Sequence, residues 1–243
     1  MKAVWATLTR ELRAYFFSPL AYVVLFFFLV VNGVIFVNLV GFLVDPRSAG
    51  GPPLGFFFRS VWLMLILLAP VLTMRLISEE LRSGSIEVLM TAPVTEGQVV
   101  TGKYLAALTF YAFLWLPTLA YAAIVANYSD VDWGPVAAGY LAVVGIGALF
   151  LAVGVFASSM TRSQLVAAMI SVALLFLLFL IGMFEELLNN QTAKQVLGYI
   201  NLWSHIDELA KGIVDTRRLV YYISASLFFL FLASRALEDR KWR

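Results

Sequence analysis

The chain is 243 residues long, and 62% of its residues are hydrophobic, compared with roughly 45–50% in soluble domains. This composition is that of an integral membrane protein. Charged residues make up 13% of the chain and the net charge is +2, which excludes a basic surface for nucleic acid. Cysteine is absent, which excludes disulfides, thiolate metal sites and a thiol nucleophile.

The first 18 residues predict an amphipathic helix that lies in the membrane interface. Apolar residues form one stripe, and basic residues lie elsewhere around the helix, as expected for contact with lipid phosphates. These residues are Trp5, Leu8 and Leu12 on the apolar stripe and Arg10 and Arg13 on the basic side. The apolar run that follows is too long for the core of a signal peptide, which has roughly 7 to 15 residues, so we expect a retained first span.

Six segments are apolar over about the 20 residues needed to cross a bilayer. They lie near residues 20–44, 57–77, 98–126, 135–159, 163–187 and 219–237. Six crossings return both termini to one side, and most of the 17 Lys and Arg residues flank the spans on that side. The positive-inside rule therefore places both termini in the cytoplasm, in a plasma (inner) membrane protein. The predicted fold is all-α, with residues 1–243 forming a single membrane domain.

The segment between the second and third spans interrupts this apolar pattern. It carries Glu79, Glu80 and Glu87. A charged side chain at mid-bilayer costs at least about 2.5 kcal/mol, so this segment must lie in water.

The same segment predicts a short helix with one apolar face. Gly84 breaks the preceding helix, Ser85 is placed to cap the next one, and Pro93 ends it. The apolar face consists of Ile86, Leu89 and Met90. A helix of two turns is not stable alone in water, so this face either packs on the membrane surface or on neighbouring segments of the same chain, or docks into a partner. Thr95 and Gln98 then form a T-x-x-Q capping box that opens the third span.

The pattern Glu79-Glu80-x-x-x-Gly84-Ser85-x-Glu87-x-Leu89-x-x-x-Pro93-Val94 resembles the segment after the second membrane helix in permease subunits of type-2 ABC exporters. Further matches resemble the GldF subgroup of that family and extend over almost the whole chain. They are Arg10–Val23, Gly102–Ala107, Asp132–Pro135, a Ser158-Ser159-x-Thr161 turn, Trp203–Asp215 and Tyr221-Tyr222. The family usually has Thr where this chain has Ser85.

The resemblance implies a set of partners. The short helix would be a coupling helix seated in a groove of a separate cytosolic ABC ATPase, with the glutamates at its rim. ATP and Mg would be bound by that ATPase, with no cofactor and no catalytic centre in this chain, which indeed lacks a G-x-x-x-x-G-K-[ST] motif. A second copy or a related permease would complete a dimer, and an accessory membrane-anchored subunit would add an extracytoplasmic domain. A non-transporting scaffold and a channel are the alternatives.

The outer segment between the fifth and sixth spans predicts two short amphipathic helices. The resemblance implies a re-entrant lid here, with candidate residues Trp203, His205, Ile206, Leu209 and Ile213. For His205, capping of a helix is favoured over a hydrolase triad with neighbouring Ser and Asp residues.

Inside the predicted spans, no ionisable residue lies at a span centre, which argues against ion-coupled transport. Asn32 and Asn38 lie in the first span, where hydrogen bonds between helices are favoured over the lining of a substrate path. Small residues form a smooth face on the fourth span that predicts a close helix neighbour, in this chain or another. They are Gly139, Gly145, Gly147, Ala148, Ala152 and Gly154.

Overall fold

The computed structural model describes residues 2–44, 54–85, 94–128, 130–187 and 197–241, which form helices and turns with no strand among them. The helices are α1 (Lys2–Phe16), α2 (Pro19–Val44), α3 (Gly55–Ser60), α4 (Trp62–Thr73), α5 (Ser78–Ser83), α6 (Glu96–Trp115), α7 (Leu119–Tyr128), α8 (Trp133–Met160), α9 (Gln164–Leu187), α10 (Leu202–Ala210) and α11 (Thr216–Lys241), with a 3-10 turn at Leu116–Thr118. The all-α membrane fold is confirmed.

Six helical segments are long and apolar enough to cross a membrane, as predicted. They are Pro19–Gly41, Trp62–Ser83, Glu96–Tyr128, Trp133–Met160, Gln164–Gly182 and Thr216–Asp239. The second segment differs from its prediction, because α3 is separated from α4 by a bend at Val61 and because α5 adds a charged extension at the other end. The third segment contains α6, the 3-10 turn with Pro117, and α7.

Helix α8 is the centre of the bundle. Its most apolar stretch is 72% buried, compared with 22% for α2 and 17% for α11. Gly145 faces the ring of Tyr222 on α11, and a Cβ added there would lie 2.8 Å from that ring. Three other glycines of the same helix also leave no room for a Cβ: Gly139 lies against α3, Gly147 against α6 and Gly154 against α4. The small residues of the fourth span therefore pack against helices of this chain, but they point towards four different helices, so the prediction of one smooth face is wrong.

The two ends of the bundle are distinct. Helices α1 and α5, the start of α6 and the last part of α11 meet at one end, where Gly97 faces Ser234 and Arg10 contacts Glu80. We call this the basal end. Helices α3 and α10 meet at the opposite, distal end, where Arg59 forms an ion pair with Asp207 at 2.7 Å.

The amphipathic helix α1 is present and packs along α6. Gly102 permits this approach, since a Cβ there would lie 2.8 Å from the side chain of Thr7. Tyr15 stacks on Phe110 with ring centroids 4.9 Å apart. The side of α1 that meets the protein therefore includes polar residues, which the simple division into an apolar and a basic side did not predict. Trp5 is 67% exposed on the other side, where contact with the membrane interface stays a prediction.

Among the described residues, a polar contact with another helix is found for Asn32, one of the two asparagines of α2. Its amide nitrogen donates to the Phe28 carbonyl at 2.8 Å and lies 3.4 Å from Met64 Sδ on α4. Asn38 donates to the Val34 carbonyl of its own helix. The inter-helix role is therefore supported for Asn32, whereas the bond found for Asn38 is internal to α2.

Candidate functional site

A network of four charged residues joins three helices at the basal end. We call Arg10, Glu11, Glu80 and Lys103 the basal ion network. Lys103 lies on α6 with a side chain only 1% exposed; its ammonium donates to Glu11 Oε1 at 2.9 Å and to the Leu76 carbonyl at 2.7 Å, and it forms an ion pair with Glu80 Oε1 at 2.9 Å. The buried ammonium is therefore both hydrogen-bonded and paired with carboxylates, which is the condition for burying a lysine.

Arg10 completes the network from the exposed side. Its Nη2 atom lies 2.7 Å from Glu11 Oε1 and 2.7 Å from Glu80 Oε1. Each of these two carboxylate oxygens thus receives one contact from an arginine and one from a lysine. The network links α1 to α5 and α6 through ion pairs. A displacement of α5 would therefore also displace or strain α1.

Glu80 is positioned by a turn and by α8. The amides of Ile77 and Ser78 donate to Ser158 Oγ at 3.2 and 3.0 Å, and Ser158 Oγ in turn donates to the Met74 carbonyl at 3.2 Å. These bonds satisfy backbone amides at the start of α5, where an α-helix has free donors. Because Ser158 is fully buried, α5 is held against the central helix at this point.

Gly84 ends α5 in the left-handed conformation, with φ = 72°. This is the usual way for glycine to stop a helix, because it has no Cβ to oppose a positive φ. The predicted capping box is confirmed on the other side of the segment: the Gln98 amide donates to Thr95 Oγ1 at 3.4 Å, and the Thr95 amide donates to Gln98 Oε1 at 3.3 Å. Both helices that flank the charged segment therefore have defined ends.

The Glu11 carboxyl is held ionised by its neighbours. Burial alone would raise its pKa, but the Lys103 ammonium and the Arg10 guanidinium outweigh burial and hold the pKa below its ordinary value of 4.5. The same carboxylates act on Arg10, whose pKa is raised despite the opposing effect of burial. Glu11 and Arg10 are therefore both ionised at neutral pH.

A cavity of about 210 Å³ opens beside this network. Its polar wall includes Glu11, Arg75, Glu79, Glu80 and Lys103, and its apolar wall comes from α1, α2, α4 and α6. A second, almost wholly apolar groove of about 530 Å³ runs between α2 and α4. The two spaces share Leu20, Val24 and Val71 as lining residues, so they adjoin each other.

The structure brings together only part of the predicted coupling segment. Glu79 Oε2 accepts a hydrogen bond from Gln164 Nε2 on α9, and Glu80 belongs to the basal ion network. Ser85 contacts Ser83 through their hydroxyl groups, 2.8 Å apart. The remaining predicted residues, Ile86, Glu87, Leu89, Met90 and Pro93, lie outside the described residues. The contact of this segment with an ATPase stays a prediction.

Sequence reasoning missed the roles of Lys103, Glu11 and Ser158. Lys103 was counted among the charges that flank a span, although it lies inside α6 and its side chain is buried. A lysine between apolar residues, with glutamates available on two other segments, was the signal that could have found it. Ser158 and Ser159 were expected in a turn, but both belong to the last helical turns of α8, and only Thr161 lies beyond it.

At the distal end, α10 covers one side of α8 and α3. Three of the five predicted lid residues are buried, namely His205, Ile206 and Leu209, whereas Trp203 and Ile213 are about half exposed. Trp62 stacks on Phe179 at 4.2 Å and meets Trp203 edge-on at 5.8 Å, which joins α4, α9 and α10. Of the residues predicted for the first outer helix, Leu197 and Ile200 precede the cap of α10 at Asn201, whereas Trp203 belongs to α10 together with Ile206 and Leu209.

The favoured role of His205 as a helix cap is wrong. Asn201 caps α10, since its side-chain oxygen accepts from the amides of Trp203 and Ser204. His205 is instead 1% exposed, with Nδ1 3.0 Å from the hydroxyl of Tyr222 on α11. Because position 205 lies in the first half of α10 and faces α11, its side chain is part of the packing between helices. Among the described residues, no cluster of His, Cys, Asp and Glu is suited to a metal ion.

The comparison with protein families identifies this architecture. A family model described as "ABC-2 family transporter protein" matches residues 20–237, which is most of the chain. The chain belongs to the ABC-2 transporter family. No curated protein matches it.

Membership in the ABC-2 family agrees with a multi-pass membrane permease subunit, a type of subunit that is generally not catalytic. The family also implies an ABC ATPase as partner. Within this ABC-2 protein, Glu80 and Lys103 of the basal ion network lie inside the matched region, whereas Arg10 and Glu11 precede it. Assignment to the GldF-like subgroup stays a prediction.

Proposed function

We propose that this chain is the permease subunit of an ATP-driven exporter, and that a separate cytosolic ABC ATPase binds at the basal end and drives it. The family match over residues 20–237 carries this proposal. In this arrangement both termini and the basal end face the cytoplasm of the inner membrane, and two permease subunits, identical or related, enclose the translocation path. ATP and Mg belong to the ATPase.

The segment 86–93 is the proposed ATPase contact. Its two ends are fixed, by Gly84 at the end of α5 and by the capping box at the start of α6. A push on the segment would reach α5, and from α5 it would pass to α1 and α6 through Glu80. Ile86, Leu89 and Met90 supply the apolar contact, and Glu87 is placed for a rim contact. An accessory extracytoplasmic subunit would meet the distal end.

The test is co-purification followed by ATP hydrolysis in liposomes. The full chain is co-expressed with each ABC ATPase of the same genome that lacks membrane spans, and retained ATPase is identified by its mass. We expect one ATPase to co-purify, and Leu89→Glu or Met90→Glu to remove it because a charge would enter an apolar contact. Leu89→Met and Met90→Leu are the matched controls and keep the contact, since they conserve volume.

Three results would count against the proposal. If no ABC ATPase is retained by the native chain, the energy source is not the proposed one. If the Glu variants retain the ATPase as well as the controls do, the contact is not at segment 86–93. If an ATPase is retained but no added membrane lipid changes its rate of ATP hydrolysis, the non-transporting scaffold is favoured instead.

A further inference from the structure

We propose that the basal cavity and the apolar groove between α2 and α4 together form a binding site for one phospholipid with a zwitterionic head, namely phosphatidylethanolamine. The head would occupy the cavity of about 210 Å³, and one acyl chain would follow the groove of about 530 Å³. The shared residues Leu20, Val24 and Val71 form the passage between the two parts. The inference is independent of transport, since it concerns binding alone.

The groove has the composition and the length of an acyl-chain site. Except for Ser60, its lining residues are apolar, and they include Phe27, Val31, Leu67 and Leu68. Along α2 it extends from Leu20 to Ile35, which is about 22 Å at 1.5 Å per residue. One leaflet occupies about half of a hydrocarbon core that is about 30 Å thick. The groove therefore reaches from the basal boundary through one leaflet.

The charges of the cavity balance, which favours a zwitterion over an anionic lipid. Three cations and three carboxylates meet here: Arg10, Arg75, Lys103, Glu11, Glu79 and Glu80. Four of them, the residues of the basal ion network, are paired with one another. This leaves Arg75 and Glu79, one of each sign, to face a ligand.

Arg75 is placed for the phosphate. It is exposed, and it forms no hydrogen bond or ion pair with any of the residues that the structure describes. The 26-residue helix α2 begins beside it, with Ser18, Leu20 and Ala21 in the cavity wall. The N-terminus of a helix carries a partial positive charge and favours a phosphate. Arg75 and the N-terminus of α2 would thus both attract the phosphate of the lipid head.

Glu79 is placed for the ammonium. It is half buried in the cavity wall, with one oxygen bonded to Gln164. Glu80 also lines the cavity, but its Oε1 atom already has two cationic partners and its Oε2 atom is buried. Glu79 is therefore the carboxylate that an ammonium in the cavity would contact.

Native mass spectrometry of the purified full chain tests the site, with phosphatidylethanolamine, phosphatidylglycerol and diacylglycerol added separately. We expect one phosphatidylethanolamine to bind at least about tenfold more tightly than either other lipid, because phosphatidylglycerol lacks the ammonium contact and diacylglycerol lacks both the ammonium and the phosphate contacts. Arg75→Gln is expected to weaken phosphatidylethanolamine binding by about tenfold for the same reason. Glu79→Gln removes the preference over phosphatidylglycerol, and Val24→Trp closes the passage and weakens binding of all three lipids.

Two control variants make the same kinds of change, the loss of a positive charge and the addition of bulk, at positions outside the proposed site. Arg82→Gln alters an exposed arginine outside the cavity, and Val37→Trp adds bulk at a 70% exposed position of α2 outside the groove. Neither should change binding. Leu67→Trp, at a 56% exposed groove position, serves as a second blocking variant if Val24→Trp fails to fold.

The site is refuted if Arg75→Gln and the blocking variants bind phosphatidylethanolamine as the native chain does, or if phosphatidylglycerol binds equally well. It is also refuted if the blocking variants leave lipid binding intact and turn a dimer into a monomer, since the groove would then be occupied by a second copy. None of these measurements involves ATP or an ATPase, so failure here leaves the proposed transport function unaffected.

Discussion

Lys103 Nζ lies 2.9 Å from Glu80 Oε1. This ion pair joins α6, the first helix of the third span, to α5, the last helix of the second span. The lysine is buried, and the glutamate side chain is only 18% exposed. A charge pair in this environment is costly to break, because removal of one partner leaves the other without compensation. Stability of the basal end should therefore depend on Lys103 more than on any surface cation.

Lys103→Met is expected to destabilise the protein by about 3–5 kcal/mol, the usual cost of leaving a buried charge without its partner. Glu11 and Glu80 would retain only Arg10, which is half exposed. The measurement is denaturant-induced unfolding in detergent. Lys211→Met is the control, since Lys211 is about half exposed in its ion pair with Asp207 and the pair should contribute less than about 1 kcal/mol. Equal losses in the two variants would contradict the prediction.

Stability should also depend on pH through Glu11. Because the folded state holds its pKa below the ordinary value of 4.5, the ionised carboxylate stabilises the protein at neutral pH. That contribution should be lost as the pH falls from about 4.5 towards the lower folded value. The thermal midpoint in detergent is measured from pH 7 down to about pH 2, which covers the window below 4.5. Glu11→Gln should lower the midpoint at pH 7 and flatten its decline in acid.

The control for this pH dependence is Glu238→Gln, because Glu238 forms an exposed ion pair with Arg235 on α11. The control should follow the native curve. A Glu11→Gln variant that declines in acid as steeply as the native chain would show that other carboxylates govern the transition.

Gly154→Ala is expected to destabilise the protein by about 1–3 kcal/mol, the cost of overpacking a filled core. The added methyl would overlap the side chain of Thr73, which is itself buried and bonded to the Ala69 carbonyl. Gly41→Ala is the matched control, because a Cβ there meets nothing within 4 Å and alanine favours a helix over glycine. The unfolding free energies of the two variants are compared; a loss in Gly41→Ala as large as that in Gly154→Ala would refute close packing at α8.

Tyr222→Phe is expected to cost about 1–3 kcal/mol, because it removes the hydroxyl that bonds His205 Nδ1. His205 Nε2 has no partner among the described residues, so the variant would leave both ring nitrogens buried and unpaired. Tyr221→Phe is the control: its ring also contacts His205, at 5.6 Å, and no hydrogen bond of its hydroxyl is found among the described residues. Equal stability of the two variants would mean that the hydroxyl bond contributes nothing.

The six spans and the capping box were predictable because both are local signals. An apolar run must be about 20 residues long to cross a bilayer, and a Thr and a Gln three positions apart bond across one helical turn. The structure has the capping box at Thr95 and Gln98, and the six apolar helices. Such features depend on neighbours in sequence and hardly on how the helices pack.

The contacts between helices were decided by packing. The sequence alone determined that the fourth span is rich in small residues; only the tertiary structure showed that they point towards four different helices of the same chain, including α11 through Gly145 and Tyr222. Likewise, Lys103 and Glu11 are 92 positions apart, and their pairing depends on the approach of α1 to α6 at Gly102. Periodicity shows which side of a helix is apolar or charged. It does not show which helix covers that side, because crossing position and rotation are set by side-chain packing across the whole bundle.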